Sequence, residues 1–404
     1  AALPPRDLGR LAAVSRACFV LASLEEVWRE KTLEELGGRF RLHPLGWKAT
    51  FLAEKGLGLP FAPRSVGALH SDLLYQPHRC ASAELLRPEW LGRGNIERVA
   101  RPSAAEFRER FERPNQPCIV TGVVEQWPAF RRWDRAYLEA AFGEHKVHAG
   151  GYEFTCSDYF DYLEGCRDEM PLYLFDKAFA AKAPRLAGDY EVPECFREDL
   201  FALLGGARPD WRWLIVGPAR GGSIFHKDPN CTSAWNALVR GRKKWIMFPP
   251  DVVPPGVHPS EDGAEVAAPV SIVEWLLDFY DDAREMQPGP LEAVVEAGEL
   301  IFVPRGWWHL ALNLEPSYAI THNFVSSVNL RHVLQYIKQE HLVSGCPETQ
   351  RPTLHARFRR ALEEHRPELL ARAEGRKAPG ALSATFSAAR ADTSDNDGGF
   401  RFAF

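Results

Sequence analysis

Residues 221–245 read "GGSIFHKDPNCTSAWNALVRGRKKW", and the architecture turns on how this stretch is read. Its β-branched and aromatic content gives it the texture of two strands, the first closing near His226 and the second running through "TSAWNALV". His226 and Asp228 stand two residues apart at the end of the first. Side chains alternate between the faces of a strand, so positions i and i+2 point the same way. Aspartate is poorly suited to a strand interior, and here it shares a direction with a histidine. Two polar groups are being converged on one place. Downstream, "VRGRKK" (239–244) reads as a hairpin turn, with Gly241 supplying the unusual backbone angle.

The same texture extends from Ile96 to Val328, in "PCIVTGVV", "PLYLFD", "WRWLIVG", "KWIMFPP", "ELIFVPRGWWHLALNL" and "YAITHNFVSSV". Turn residues punctuate these runs, which predicts a mainly β domain of antiparallel sheets over 96–330, with helices at either side. Before it, 1–50 has helical periodicity: Leu8, Leu11, Val14, Cys18 and Leu21 recur at steps of three and four. Residues 51–95 form a Gly- and Pro-rich linker containing "GLGLPFAPRSVG". Helices return over 331–378, and 379–404, ending "ADTSDNDGGFRFAF", reads as a disordered tail.

Composition narrows the classes. With 404 residues, 45% hydrophobic and including 12 Trp and 24 Phe, the chain can bury one large core. A net charge of −5 argues against a dominant nucleic-acid surface. No apolar run approaches the roughly 18 residues of a membrane span. The 8 cysteines include no C-x-x-C pair, which fits neither a zinc ribbon nor a compact disulfide framework and favours a reducing compartment. The opening "AALPPRDLGRL" has no signal-peptide pattern, so a non-secreted protein is expected.

A third donor completes the His226/Asp228 pair. In "GELIFVPRGWWHLALNL" (298–314), Gly298 and Glu299 make a turn, "LIFVP" a strand and "RGW" a tight loop, and His309 opens the next strand. A His-x-Asp pair alone is common by chance and usually marks a turn or a surface pair. Joined to a distant strand-borne histidine, it becomes the 2-His-1-carboxylate ligand set, which leaves adjacent positions open on Fe(II). A structural zinc would want four protein ligands and a closed shell. His226, Asp228 and His309 are therefore the candidate metal ligands and catalytic centre.

"GPARGGSIFHKDPNCTSAWNALVRGRKKWIMFPP", with "GELIFVPRGWWHLALNL" and "AITHNFVSSVN", strongly resembles the jumonji-C (JmjC) oxygenases. Within that family it is most similar to the branch of the bifunctional arginine demethylase and lysyl hydroxylase. The resemblance covers roughly 95–330 and implies a double-stranded β-helix of the cupin or jelly-roll type. It implies Fe(II) held by His226, Asp228 and His309, 2-oxoglutarate as cosubstrate, and O₂. Lys243 matches the lysine that pairs with the distal carboxylate of 2-oxoglutarate, Thr321 a hydroxyl beside it, and Tyr173 the tyrosine closing that pocket. Asn236 and Asn313 match amides lining the site, and Ser223 stands where relatives carry Thr.

Residue-level reasoning runs alongside. A lysine inside a β-run is costly unless its charge is paired or solvated, so Lys243 is either a cavity cation or an exposed hairpin residue. Thr321 and Asn323 share one face of their strand, leaving His322 to pack on the other. By the same alternation Asn313 points with His309 toward the metal side. The implied chemistry hydroxylates a side-chain carbon, or an N-methyl group to give a hemiaminal that loses formaldehyde. The implied target is a protein side chain, histone tails included. Nuclear placement follows by analogy, with the cytoplasm as the alternative.

Residues 3–50 also resemble an F-box lacking its first helix, which implies a Skp1-type adaptor of a cullin ubiquitin ligase as partner. A helical cap packed on the oxygenase is the plainer alternative. The segment "LHARFRRALEEHRPELLARAEGRK" (354–377) is a basic amphipathic helix, with either a solvated face or a homodimer contact as its use. Three readings thus stand: an oxygenase, a substrate adaptor using its barrel for recognition, and a cupin-like structural module. The triad together with Lys243 favours the first.

Overall fold

The computed structural model describes residues 3–58, 75, 87–92 and 94–375. Most of the linker expected over 51–95, and all of the tail expected over 379–404, lie outside the described residues. In chain order the strands are β1 (Arg98–Ala100), β2 (Cys118–Thr121), β3 (Val147–Ala149), β4 (Tyr152–Phe154) and β5 (Leu174–Asp176). There follow β6 (Arg212–Gly217), β7 (Gly222–His226), β8 (Ser233–Arg240) and β9 (Arg242–Phe248). A small ribbon pairs β10 (His258–Pro259) with β11 (Val266–Ala267). The last four are β12 (Leu291–Glu296), β13 (Leu300–Val303), β14 (Trp308–Asn313) and β15 (Ser317–Phe324).

These strands build two facing sheets. The larger has the order β1-β2-β13-β8-β15-β6-β5-β3-β4, and the smaller β12-β9-β14-β7. Every pairing is antiparallel except β1 with β2. One apolar cluster joins the sheets across the barrel interior, Leu238, Ile301 and Ala319 from the larger meeting Trp245, Met247 and Ala311 from the smaller. This is the jelly-roll architecture that the family resemblance implied, built from the antiparallel sheets that the sequence pattern predicted.

Strict alternation explains why each central strand reads as an almost unbroken apolar run. In β8, Trp235, Ala237 and Val239 face outward into a cluster shared with the helical cap, while Ala234 and Leu238 face inward. Both faces are buried, so neither is free to be polar. In β9, Trp245 and Met247 point inward, while Ile246 and Phe248 pack outward on the helices Ile272–Asp278 and Tyr280–Glu285. Lys243 is the first inward residue of β9, and Lys244 shares the outer face with Ile246 and Phe248.

The turn at Gly241 is not a hairpin. β8 belongs to the larger sheet and β9 to the smaller, and they are not hydrogen-bonded to each other. Gly241 has φ +83°, and a Cβ there would stand 2.4 Å from the Pro316 carbonyl oxygen. Tight backbone approach and a left-handed angle both demand glycine. The local chemistry read from the sequence holds, but it serves a corner that carries the chain across the barrel. Asn236 and Lys243 consequently occupy opposite walls.

The ends of the chain complete the core. The helices Pro5–Leu11, Arg16–Leu21, Glu25–Leu36 and Trp47–Glu54 feed Leu8, Trp28, Trp47 and Phe51 into the cluster that backs the larger sheet. Phe40 packs edge-on to Phe154 at 5.8 Å, and the Trp47 indole donates to Asp168 at 2.6 Å. Burying each such ring stabilises the cap by about 1.5–3 kcal/mol. At the other end, Leu354, Phe358 and Leu362 recur every four residues along the helix Arg351–His365 and are buried. Phe358 meets Phe201 edge-on at 4.7 Å, so this apolar stripe is covered within the chain.

Candidate active site

His226 ends β7 and His309 lies directly opposite it on β14. Asp228 falls beyond the strand, as the extended residue before the turn Pro229–Cys231. Its alignment with His226 is therefore set by the turn and not by pleating. One ligand atom from each of the three side chains lies within 4.8 Å of the other two. The imidazole ring centres are 4.1 Å apart. Each histidine has Nδ1 against a carbonyl, His226 with Ile224 at 2.8 Å and His309 with Trp307 at 3.1 Å. A carbonyl only accepts, so both Nδ1 atoms carry the proton and both Nε2 atoms keep a free lone pair.

The electrostatics fit a cation at this point. Burial, and then the neighbouring His226, hold His309 well below the usual histidine range, so it is neutral at pH 7. Burial pushes the Asp228 carboxyl up, against the opposing pull of His226 and a hydrogen bond with Asn323. Its Oδ2 is buried without a partner. An orphaned buried acceptor costs about 1–3 kcal/mol. Two imidazole lone pairs and one unsatisfied carboxylate oxygen match the donor set of a divalent metal, and a bound dication reverses the penalty on Asp228.

Beside the triad lies a cavity of about 200 Å³ lined by both sheets. Lys243 enters it from β9 with only 1% of its surface exposed, which discards the hairpin-lysine alternative. Its Nζ donates to the Tyr173 hydroxyl at 3.0 Å, and among the described residues no carboxylate pairs with it. Burial lowers its pKa to about 7. Lys244, one residue on and facing outward, is paired with Glu292 at 2.5 Å. The contrast is the informative feature. Of two adjacent buried lysines, the one pointing into the cavity lacks an anion, which a bound carboxylate supplies.

The other sequence-derived residues divide. Tyr173, Ser223, Asn236 and Thr321 all line the cavity, and Thr321 opposes both Asn236 and Trp213 in strand register. The Thr321 hydroxyl already donates to the Trp235 carbonyl at 2.9 Å. Asn313 does not line the cavity. Its amide nitrogen donates to the Pro218 carbonyl at 3.1 Å, and its oxygen receives the Tyr173 hydroxyl at 3.5 Å. Alternation placed it correctly by face, but its amide is held by the Pro218 carbonyl and the Tyr173 hydroxyl. His322 packs as expected, bonded to Tyr190 at 2.9 Å on the outer face.

Three aromatic lining residues were missed. Phe175 and Trp213 stack at 5.3 Å with planes 28° apart, and Phe175 is 44% exposed. Both were within reach of period-two reasoning, since Phe175 follows Tyr173 by two positions. Trp245 follows Lys243 in the same way and lies nearly parallel to His309 at 5.9 Å.

Comparison with known proteins agrees with this geometry. The cupin-like domain family matches residues 104–329. An Arabidopsis thaliana protein named an arginine-specific demethylase is 46% identical over 100% of this chain and 81% of its own length. A Caenorhabditis elegans protein named a bifunctional arginine demethylase and lysyl-hydroxylase is 36% identical over 69% of this chain and 70% of its own. A Homo sapiens protein named a 2-oxoglutarate and iron-dependent oxygenase is 30% identical over 61% of this chain and 66% of its own.

Proposed function

The chain belongs to the cupin-like jumonji-C family, and from that premise we infer that it is an Fe(II)- and 2-oxoglutarate-dependent oxygenase acting on a protein side chain. The observation that carries the reading is the convergence of His226, Asp228 and His309 within 4.8 Å, in the cavity that holds the unpaired Lys243. A structural barrel has no use for a buried lysine with no carboxylate partner among the described residues, set beside three converging metal-ligating side chains.

The ferrous ion, when bound, couples oxidative decarboxylation of the keto acid by O₂ to insertion of one oxygen atom into a C–H bond. The chain's own part is positioning. We assign His226, Asp228 and His309 as the metal ligands, the two imidazoles held in register by their Nδ1–H bonds to backbone carbonyls. Lys243 receives the distal carboxylate, and Tyr173 fixes the ammonium in place. Thr321, Asn236 and Ser223 complete the polar walls around the cosubstrate. Phe175 and Trp213 present an aromatic face where the target side chain enters, suited to stacking on a delocalised cation.

A methylated arginine is the first target to test, because a relative matching the whole chain is named an arginine-specific demethylase. Hydroxylation of lysine stands second, on the bifunctional relative. Histone-tail peptides are the starting substrates, and nuclear placement rests on that choice. Residues 96–330 form the catalytic unit in this reading. The N-terminal helices act as its cap, since their aromatic residues pack into the cluster that backs the larger sheet, and the adaptor reading has no comparable observation behind it.

The test is succinate release from 2-oxoglutarate with Fe(II), for wild type and His226→Ala, together with mass spectrometry of methylated-arginine and lysine peptides. Gain of one oxygen marks hydroxylation, and loss of one methylene marks demethylation. Equal succinate release from both proteins overturns the enzyme reading.

A further inference from the structure

Asp228 takes its direction from the turn Pro229–Cys231 that follows it, and that turn has an unfavourable backbone. Asn230 has φ +55° and Cys231 φ +56°, the one adjacent pair of left-handed non-glycine residues among the described residues. Such angles cost an ordinary L-residue about 1–2 kcal/mol and come more easily only to glycine, asparagine and aspartate. A turn in that state persists only where its surroundings hold it.

Two anchors do so. The Thr232 hydroxyl donates to the Pro229 carbonyl at 2.8 Å and receives the Asn323 amide of β15 at 2.9 Å. The second anchor comes from outside the barrel strands. Asn230, 2% exposed, meets the backbone of Ser344, 114 positions downstream. Its amide nitrogen donates to the Ser344 carbonyl at 2.9 Å, and its amide oxygen accepts the Ser344 N–H at 3.1 Å. One side chain thus occupies both backbone groups of one residue, as a paired strand residue does. Ser344 is itself fixed by its neighbours: Val343 is buried in the carboxy-terminal cluster, and the Gly345 carbonyl accepts the Asp210 N–H at 2.6 Å. Glycine at 230 would take the backbone angle at less cost, so the angle alone does not call for asparagine. What the amide adds is the tie to Ser344.

We propose that Asn230 is a positioning residue for the metal ligands: tied to Ser344, it holds the turn that aims the Asp228 carboxylate at His226 and His309. This rests on the oxygenase reading. Both histidines are carried by paired strands, whereas Asp228 lies beyond its strand, so slack in the turn reaches the carboxylate first. The connection around Ser344 then supports the ligand set although it lies beyond the 96–330 unit.

The experiment compares full-length wild type with Asn230→Gly, which keeps the left-handed angle and removes the tie, and with Phe51→Ala, which deletes a buried ring of the amino-terminal cap. Mn(II) affinity is measured by EPR titration, below the melting temperature recorded for each metal-free protein. Support of a metal ligand from behind is worth about 10–100-fold in metal affinity, so Asn230→Gly is expected to bind Mn(II) about tenfold or more weakly. Phe51→Ala is expected to melt at a lower temperature while its Mn(II) affinity stays within about threefold of wild type. Asn230→Gly that binds Mn(II) within about threefold of wild type overturns the proposal. So does a loss in Phe51→Ala as large as that in Asn230→Gly, which reports general loosening of the fold. Should Asn230→Gly not fold, Asn230→Asp is read by the same criteria: it keeps the acceptor for the Ser344 N–H and turns a carboxylate oxygen on the Ser344 carbonyl. Wild type that binds no Mn(II) overturns the oxygenase reading itself, so the two failures are told apart.

Discussion

Replacing Lys243 by Met separates the site from the scaffold, because it moves stability and binding in opposite directions. In the ligand-free protein the ammonium is 1% exposed, with the Tyr173 hydroxyl at 3.0 Å and no counter-charge among the described residues. Burial lowers its pKa from 10.5 to about 7, and each decade is worth about 1.36 kcal/mol. Holding the charged form there therefore costs about 5 kcal/mol. Lys243→Met removes that cost with a side chain of similar length, and the ligand-free protein gains about 1–4 kcal/mol. The same change strips the bound dicarboxylate of its buried partner, at about 3–5 kcal/mol, so 2-oxoglutarate affinity falls about 10²–10⁴-fold. Denaturant unfolding of the metal-free protein and calorimetric titration of the Mn(II)-loaded protein measure the two effects. A variant that binds 2-oxoglutarate within about threefold of wild type refutes the assignment of Lys243. A variant destabilised in the absence of ligand refutes the account of its burial.

Further outcomes follow from the same geometry. At saturating Mn(II), 2-oxoglutarate affinity falls as pH rises from 6 through 8.5, by at most about tenfold per pH unit. The sign comes from the free protein, where Lys243 loses its proton above about pH 7 and must regain it to pair with the carboxylate; Lys243→Met should give a flat profile. Asp228→Ala loses Mn(II) affinity by about 10²-fold or more in EPR titration, along with the metal-induced rise in melting temperature, and retention of either removes Asp228 from the ligand set. Phe175→Ala raises KM for a methylarginine peptide by about two- to tenfold while 2-oxoglutarate affinity stays constant, as expected for a cation–π contact. An unchanged KM places the target's entry elsewhere. Phe358→Ala, on the carboxy-terminal helix, costs about 3–5 kcal/mol in urea unfolding, and a loss under about 1 kcal/mol means that this helix does not pack on Phe201.

Much of the site was legible because the relevant information is local. His226 and Asp228 are two positions apart, and His309 follows a tight loop that leads into its strand. Lys243, Trp245 and Met247 alternate on one strand, so the inward triplet could be written from spacing alone, although the Trp was passed over. Position 313 shows where that logic ends. Its face was right, but a carbonyl from the Pro218 loop and the Tyr173 hydroxyl hold the amide away from the cavity lining. Gly241 is a second instance: its backbone angle is a local property, whereas the sheet that receives the next strand is not.

The amino-acid order by itself determined the alternation that buries both faces of the central strands, the identity of the three converging side chains His226, Asp228 and His309, and the glycine at the corner. Each follows from steric or polar demands felt within a few residues. Only the tertiary structure decided that Lys243 has no carboxylate partner among the described residues while Lys244 has one, that Phe175 stacks on Trp213 from 38 positions away, and that the cap's aromatic residues pack behind the larger sheet. Those outcomes depend on which surfaces meet across the barrel, and desolvation and pairing take their values only once the two sheets have closed on each other.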